Sequence, residues 1–239
     1  MIGRLINAGC IVLAGMAVWA RVPAIPVAAQ RRLQALVAVV TMGLGFQVIW
    51  RSLDGTFGQV LRQLAVLAVA LVLGRLTGQG LGLQARLNRL GRFARERLMG
   101  APAAGPRRLG DVFAAATVVF CLTPLAVVGP VLEGLRGDLR ALLVKSAVDG
   151  LATLGLARTR GWPVILGAVP VLSLQGSLGL LLLGWRERFE LPGVADAVCA
   201  TGGFLLVAVG MVMLQVLRIR LADYLPALLW AGFLGWVWP

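Results

Sequence analysis

The chain has 239 residues, of which 59% are hydrophobic and 14% charged, with a mean hydropathy of +0.88 and a net charge of +13. Soluble domains carry roughly 25% charged residues, so this composition excludes a soluble enzyme, a disordered tail and a nucleic-acid-binding module that needs a soluble body. The chain is expected to be solvated largely by lipid. Histidine is absent, which removes the usual proton shuttle, the commonest metal ligand and the Ser–His and Cys–His nucleophile pairs.

A membrane-crossing helix needs roughly 17–25 mainly apolar residues. Eight segments meet or come near this, with 5–20 and 224–238 a residue or two short: 5–20, 33–50, 61–77, 112–130, 141–157, 163–184, 197–217 and 224–238. The expected fold is therefore all-α, a polytopic membrane helix bundle of about eight spans in a single membrane domain over 1–239. The first span carries Asn7 and is read as a span, not a signal peptide, because more membrane segments follow it. The third ends in a Gly74, Gly78, Gly82 ladder, a small face that lets helices approach closely, within the chain or between two chains.

The connection 78–111 repeats Leu83, Leu87, Leu90 and Ala94 at helical spacing, with Arg86, Arg89, Arg92, Arg95 and Arg97 around them. This pattern predicts an amphipathic helix on the inner leaflet, its arginines meeting anionic lipid head groups. A Gly/Pro/Ala linker, 100–106, follows it. The fourth span is interrupted by Pro124 and Pro130, and such breaks free backbone carbonyls that need a partner.

Span five holds Lys145, Ser146 and Asp149. The two charges stand four apart and share one helix face. A charge at the bilayer centre costs roughly 2.5–3.5 kcal/mol, so the pair either neutralises itself or serves a function. Lys145 alone has a third option, snorkelling to the outer head groups. Span six holds Gln175 within a polar stretch that includes Ser173, Ser177, Gly176 and Gly179. Asn7 and Gln175 are amides, able to bind an ion, a polar solute or a neighbouring helix. The candidate substrate-binding set is therefore Asn7, Lys145, Ser146, Asp149, Gln175 and Ser177. Trp19, Trp50, Trp185, Trp230, Trp236 and Trp238 fit an interfacial aromatic belt. Cys10, Cys121 and Cys199 stand alone in apolar runs and read as small buried hydrophobes. No catalytic, metal or cofactor motif is present in the sequence, and no enzymatic role is expected.

Of the 23 basic residues, 22 are arginine. With the N-terminus outside, the inner loops hold fifteen arginines against three acids and the outer loops seven against six. The positive-inside rule thus places both termini outside and 78–111 in the cytoplasm. A shift of 168 residues lays Asn7 on Gln175, Gln47 on Gln215 and Leu53 on Leu221. Spans one to three and six to eight enter from opposite sides, the plan of a 3+3 inverted repeat flanking two central helices.

Several stretches carry a resemblance. They are Met1 to Ala8, Gly74-Arg75-Leu76-Thr77-Gly78, Val127-Val128-Gly129 with Glu133 to Asp138, Lys145 to Gly150, Leu174 to Ser177, and Leu225 to Leu229. In order and spacing these resemble the YqgA/YdfK-type family of bacterial inner-membrane proteins. Its members have no assigned activity and are loosely called transporters, so the resemblance implies a multi-pass protein of the bacterial inner membrane. The chain departs from the family pattern at Pro130, Asp223-Tyr224 and Gln215.

The functional expectation is a transporter or channel for a small solute or ion, in contact with the bilayer and able to self-associate. The alternative is a non-transporting scaffold or sensor working through its arginine-rich helix. A transporter needs Asn7, Lys145, Asp149 and Gln175 to converge on one water-accessible cavity.

Overall fold

In a computed structural model the chain is helical throughout most of its described residues, which are 2–21, 23, 25–53, 55–100, 106–184 and 193–238. Trp185, the outer-loop charges at 54 and 186–190 and most of the 100–106 linker lie outside them. The helices are α1 (Ile2–Trp19), α2 (Val27–Ser52), α3 (Phe57–Gly80), α4 (Leu83–Gly100), α5 (Pro106–Cys121), α6 (Leu125–Arg136), α7 (Arg140–Arg160), α8 (Ala168–Gly184), α9 (Val194–Met213) and α10 (Ala227–Val237). Short 3₁₀ turns, Trp162–Gly167 and Leu221–Tyr224, lead into α8 and α10.

Among the described residues, five stretches are long and apolar enough to cross a membrane: α1, α2, α3, the 3₁₀ turn with α8, and α9. The pair α5/α6, bent by 55°, makes a sixth when taken as one broken span. The eight expected from sequence also include α7 and the C-terminal segment. α7 is long enough at 21 residues but carries five charged residues. The C-terminal helix α10 is apolar but only 11 residues long.

The most deeply covered helix is α9, which packs on α2, α10 and α6. Glycines set the spacing between α2 and α9. A Cβ at Gly45 would stand 2.6 Å from the Gly203 carbonyl, and one at Gly203 would stand 2.8 Å from the Gly45 carbonyl. No side chain fits between backbones that close. The ladder at the end of α3 works the same way inside the chain. A Cβ at Gly74 would run into the Ala227 backbone, and one at Gly78 into the Asp223 carbonyl. Gly82 contributes conformation instead of closeness, since its φ of +61° turns the chain from α3 into α4.

Among the described residues two apolar cores result. One is built from Val48, Val66, Leu132, Leu205, Leu206 and their neighbours on α2, α3, α6, α9 and α10. The other joins Ile11, Val112, Phe120, Val164 and Val171 on α1, α5, α8 and the turn before it. α7 feeds both, Ala141 to the first and Ala157 to the second. Lys145 and Asp149 fall between.

Trp19, Trp50, Trp236 and Trp238 are exposed near helix ends, as an interfacial belt requires. Of the three cysteines only Cys199 is fully buried; Cys10 and Cys121 are half-buried, and all three are free thiols.

Candidate functional site

The site begins at a proline. Pro124 has no N–H to donate to the carbonyl four residues earlier, so the α5/α6 break leaves the Phe120 oxygen open. The Lys145 ammonium takes the place of that donor, bonding to Phe120 O at 2.9 Å. It also donates to Thr123 Oγ1 at 3.2 Å and to Asp149 Oδ2 at 2.7 Å. All three ammonium donors are thereby used. Lys145 is 1% exposed and points inward, so the snorkelling option does not apply.

Asp149 Oδ2 also accepts from Asn7 Nδ2 at 3.1 Å, which brings α1 to the pair. Thr153, one turn further along α7, donates its hydroxyl to the Asp149 backbone carbonyl. Asn7 and Asp149 expose 2% or less of their surface. Burial of a charge at this depth is tolerated because the ions neutralise each other and are further hydrogen-bonded.

One atom of this cluster is left over. Asn7 Oδ1 is buried without a hydrogen-bond partner among the described residues. Gln175 on α8 is more extreme: it is 0% exposed, and neither its Nε2 nor its Oε1 is partnered among them. An unbonded buried polar group costs about 1–3 kcal/mol.

Of the remaining candidates, Ser146 is buried beside Lys145 but donates to Leu142 O on its own helix. Ser177 does not join the site. It is exposed and donates to Leu174 O one turn back.

A second ion pair joins two residues that sequence alone assigns to the outer loops. Arg4 and Glu133 are instead buried, at 4% and 5% exposure, with Arg4 Nε 2.9 Å from Glu133 Oε2. Glu133 Oε1 accepts the Gly3 N–H, one of the free donors in the first turn of α1. Arg4 Nη1 donates to Gly176 O, next to Gln175, and the absence of a side chain at Gly179 makes room for the guanidinium. The sequence does carry a signal for them. Arg4 is three residues from Asn7 on the same helical face, and Glu133 is the one acid in the apolar run of α6.

The segment Glu133 to Asp138 forms a corner around this site. Arg136 pairs with Asp196 at the start of α9, Gly137 turns with φ +68°, and Asp138 Oδ1 accepts the Arg140 N–H at the head of α7.

The chain is 28% identical over 162 residues to the uncharacterized membrane protein YdfK of Bacillus subtilis, covering 67% of this chain and 66% of that one, just under two thirds. It is 25% identical over 249 aligned positions to the uncharacterized protein YqgA of Escherichia coli, covering 100% of this chain and 97% of that one. No solved structure matches it. Of the stretches that carry the resemblance, Arg4 to Asn7, Glu133 to Asp138, Lys145 to Gly150 and Gln175 lie around two buried ion pairs, whereas Gly74 to Gly78 and Leu225 to Leu229 pack against each other where α3 meets α10. The family described as a protein of unknown function (DUF554) matches residues 2–236, and the chain belongs to it.

Proposed function

We propose that this membrane protein moves a small ion or polar solute across the bacterial inner membrane and is not an enzyme. The observation that supports the reading is the hydrogen-bonded set Lys145, Asp149 and Asn7, together with the unbonded amide of Gln175 buried on α8. Lys145, Asp149, Asn7 and Gln175 are buried among apolar helices, with three amide atoms unbonded among the described residues. Ionisable groups inside a membrane are costly and are functional candidates by default. The Asn7 carbonyl oxygen and both polar atoms of Gln175 suit a ligand that takes oxygen donors or both kinds of hydrogen bond. These residues are closed to the surface in this conformation and none lines one of the cavities described, so the water-accessible cavity that transport needs would have to open in another conformation.

The helix pairings fit an inverted 3+3 arrangement. α1 packs on α8, α2 on α9 and α3 on α10, each with the segment that the 168-residue shift assigns to it. In this reading both termini face outward and the arginine-rich 78–111 segment faces the cytoplasm.

The competing reading is a scaffold or sensor, favoured by the firm docking of α4. At its N-terminus Gln84 N–H donates to the buried Asp223 carboxylate, and Gln84 Oε1 accepts from Ala222 N–H. Flux separates the two readings. Purified protein in liposomes, screened against monovalent cations and small polar solutes, is expected to pass at least one. Asp149→Asn, which leaves Lys145 uncompensated, is expected to melt earlier. The double variant Asp149→Asn with Lys145→Gln is expected to recover the melting temperature yet stay inactive. Full flux from the well-folded double variant would reduce the pair to a structural ion pair. Absence of flux for every solute from well-folded wild type would favour the scaffold.

A further inference from the structure

We propose that the groove between α4 and α5 is a discrete binding site for one anionic phospholipid. The proposal is independent of the transport reading, because the groove lies outside the buried ion pairs.

α4 is held at its two ends and open in the middle. The Gln84–Asp223 and Gln84–Ala222 bonds fix its start, and Arg97 pairs with Asp111 of α5 near its end. Between these anchors only Ala94 is fully buried. A groove of about 310 Å³ remains, within the range of small-ligand sites. Leu87, Leu98, Val119 and Leu122 form its apolar walls, and Asn88 and Arg95 stand on its polar edge. Gly91 lines it without filling it: a Cβ there would meet nothing within 4 Å.

The chemistry of the occupant follows from the two halves of the groove. Its walls match an acyl chain, which in a membrane is the apolar partner at hand. Its edge matches a phosphate, because Arg95 is exposed and carries no ion-pair partner among the described residues. The surrounding charge has the same sign: Arg86, Arg89 and Arg92 are also exposed on α4 against one acid of that helix, Glu96, while Arg97 is paired with Asp111. The positive-inside rule puts this helix at the cytoplasmic leaflet, where anionic lipids are attracted by such clusters. Thr123 closes the groove, and its hydroxyl accepts from Lys145. An acyl chain seated there ends one side chain from the buried ammonium.

Native mass spectrometry of the full-length protein, in detergent doped with phosphatidylglycerol and phosphatidylcholine of identical chains, tests this. Wild type is expected to retain one phosphatidylglycerol in preference to phosphatidylcholine. Arg95→Gln is expected to reduce that preference about fivefold, the effect of one arginine at an anionic surface. Gly91→Leu should fill the groove and lose bound lipid of both kinds. It also improves helix propensity, so a folding defect is not expected, and its melting temperature verifies that. Arg89→Gln, on the opposite side of α4 by helical geometry, should leave retention unchanged. Undiminished phosphatidylglycerol on Gly91→Leu would overturn the site. So would equal losses in Arg95→Gln and Arg89→Gln, which would mark a diffuse charge effect, or a second copy of the chain in place of the lipid.

Discussion

A buried side chain with no bonding partner lowers stability by design or by accident, and Gln175 allows the two to be told apart. Both of its polar atoms are enclosed and unbonded among the described residues. Gln175→Met removes them at nearly constant volume, so in solute-free detergent the variant is expected to be more stable than wild type by about 1–3 kcal/mol. If the amide holds a solute, flux falls in the same variant. A rise in melting temperature together with loss of flux is the signature of a site kept for activity at a cost to stability. A fall in melting temperature would mean that Gln175 is satisfied in place. Arg4 and Glu133 behave differently, because each is bonded to the other and Glu133 also holds the Gly3 N–H. Glu133→Gln keeps an acceptor for that N–H but strands the Arg4 charge, and is expected to cost about 3–5 kcal/mol in detergent unfolding. Adding Arg4→Met should return much of it. A double variant less stable than Glu133→Gln alone would contradict this account.

At the scale of elements, the sequence tells more about helices than about the joints between them. Lys145 and Asp149 are legible as a pair because four residues of helix put them on one face, and that face does point inward. The role of Pro124 is only half legible. A proline in an apolar run announces a break, but which group takes the freed carbonyl depends on a helix packed beside it. Arg4, Glu133 and Asp223 look like loop charges because they sit at the ends of apolar runs, where hydropathy cannot separate a solvated charge from a buried one. Asp223 is in fact 2% exposed and anchors the start of α4. The break itself is testable. Pro124→Ala restores an N–H opposite Phe120 O, so the backbone competes with Lys145 for that acceptor. Hydrogen exchange around residues 120–125 is expected to slow as α5 and α6 become more continuous, and flux to fall. Unchanged exchange would mean that the 55° bend is imposed by packing and not by the proline.

At the scale of the whole molecule, charge placement and helix packing bear on orientation by separate routes. The charges favour an outer N-terminus, with a net of +12 on inner loops against +1 outside. Burial of Arg4 with Glu133 removes one charge of each sign from the outer tally and leaves its net unchanged. Burial of Asp223 removes an acid from the inner loops, so the asymmetry deepens. In the orientation proposed above, the α4 arginines face the cytoplasm and the turn between α2 and α3 faces outward. Phe57, at the start of α3, is 84% exposed, and Gly100 ends α4. In a chain whose three cysteines have been replaced, Phe57→Cys should react with a membrane-impermeant maleimide in intact spheroplasts, and Gly100→Cys only after they are opened. The reverse pattern would place α4 on the outer leaflet and invert the bundle. It would also remove the anionic cytoplasmic surface on which the α4–α5 lipid site depends, while leaving the buried Lys145–Asp149 pair untouched.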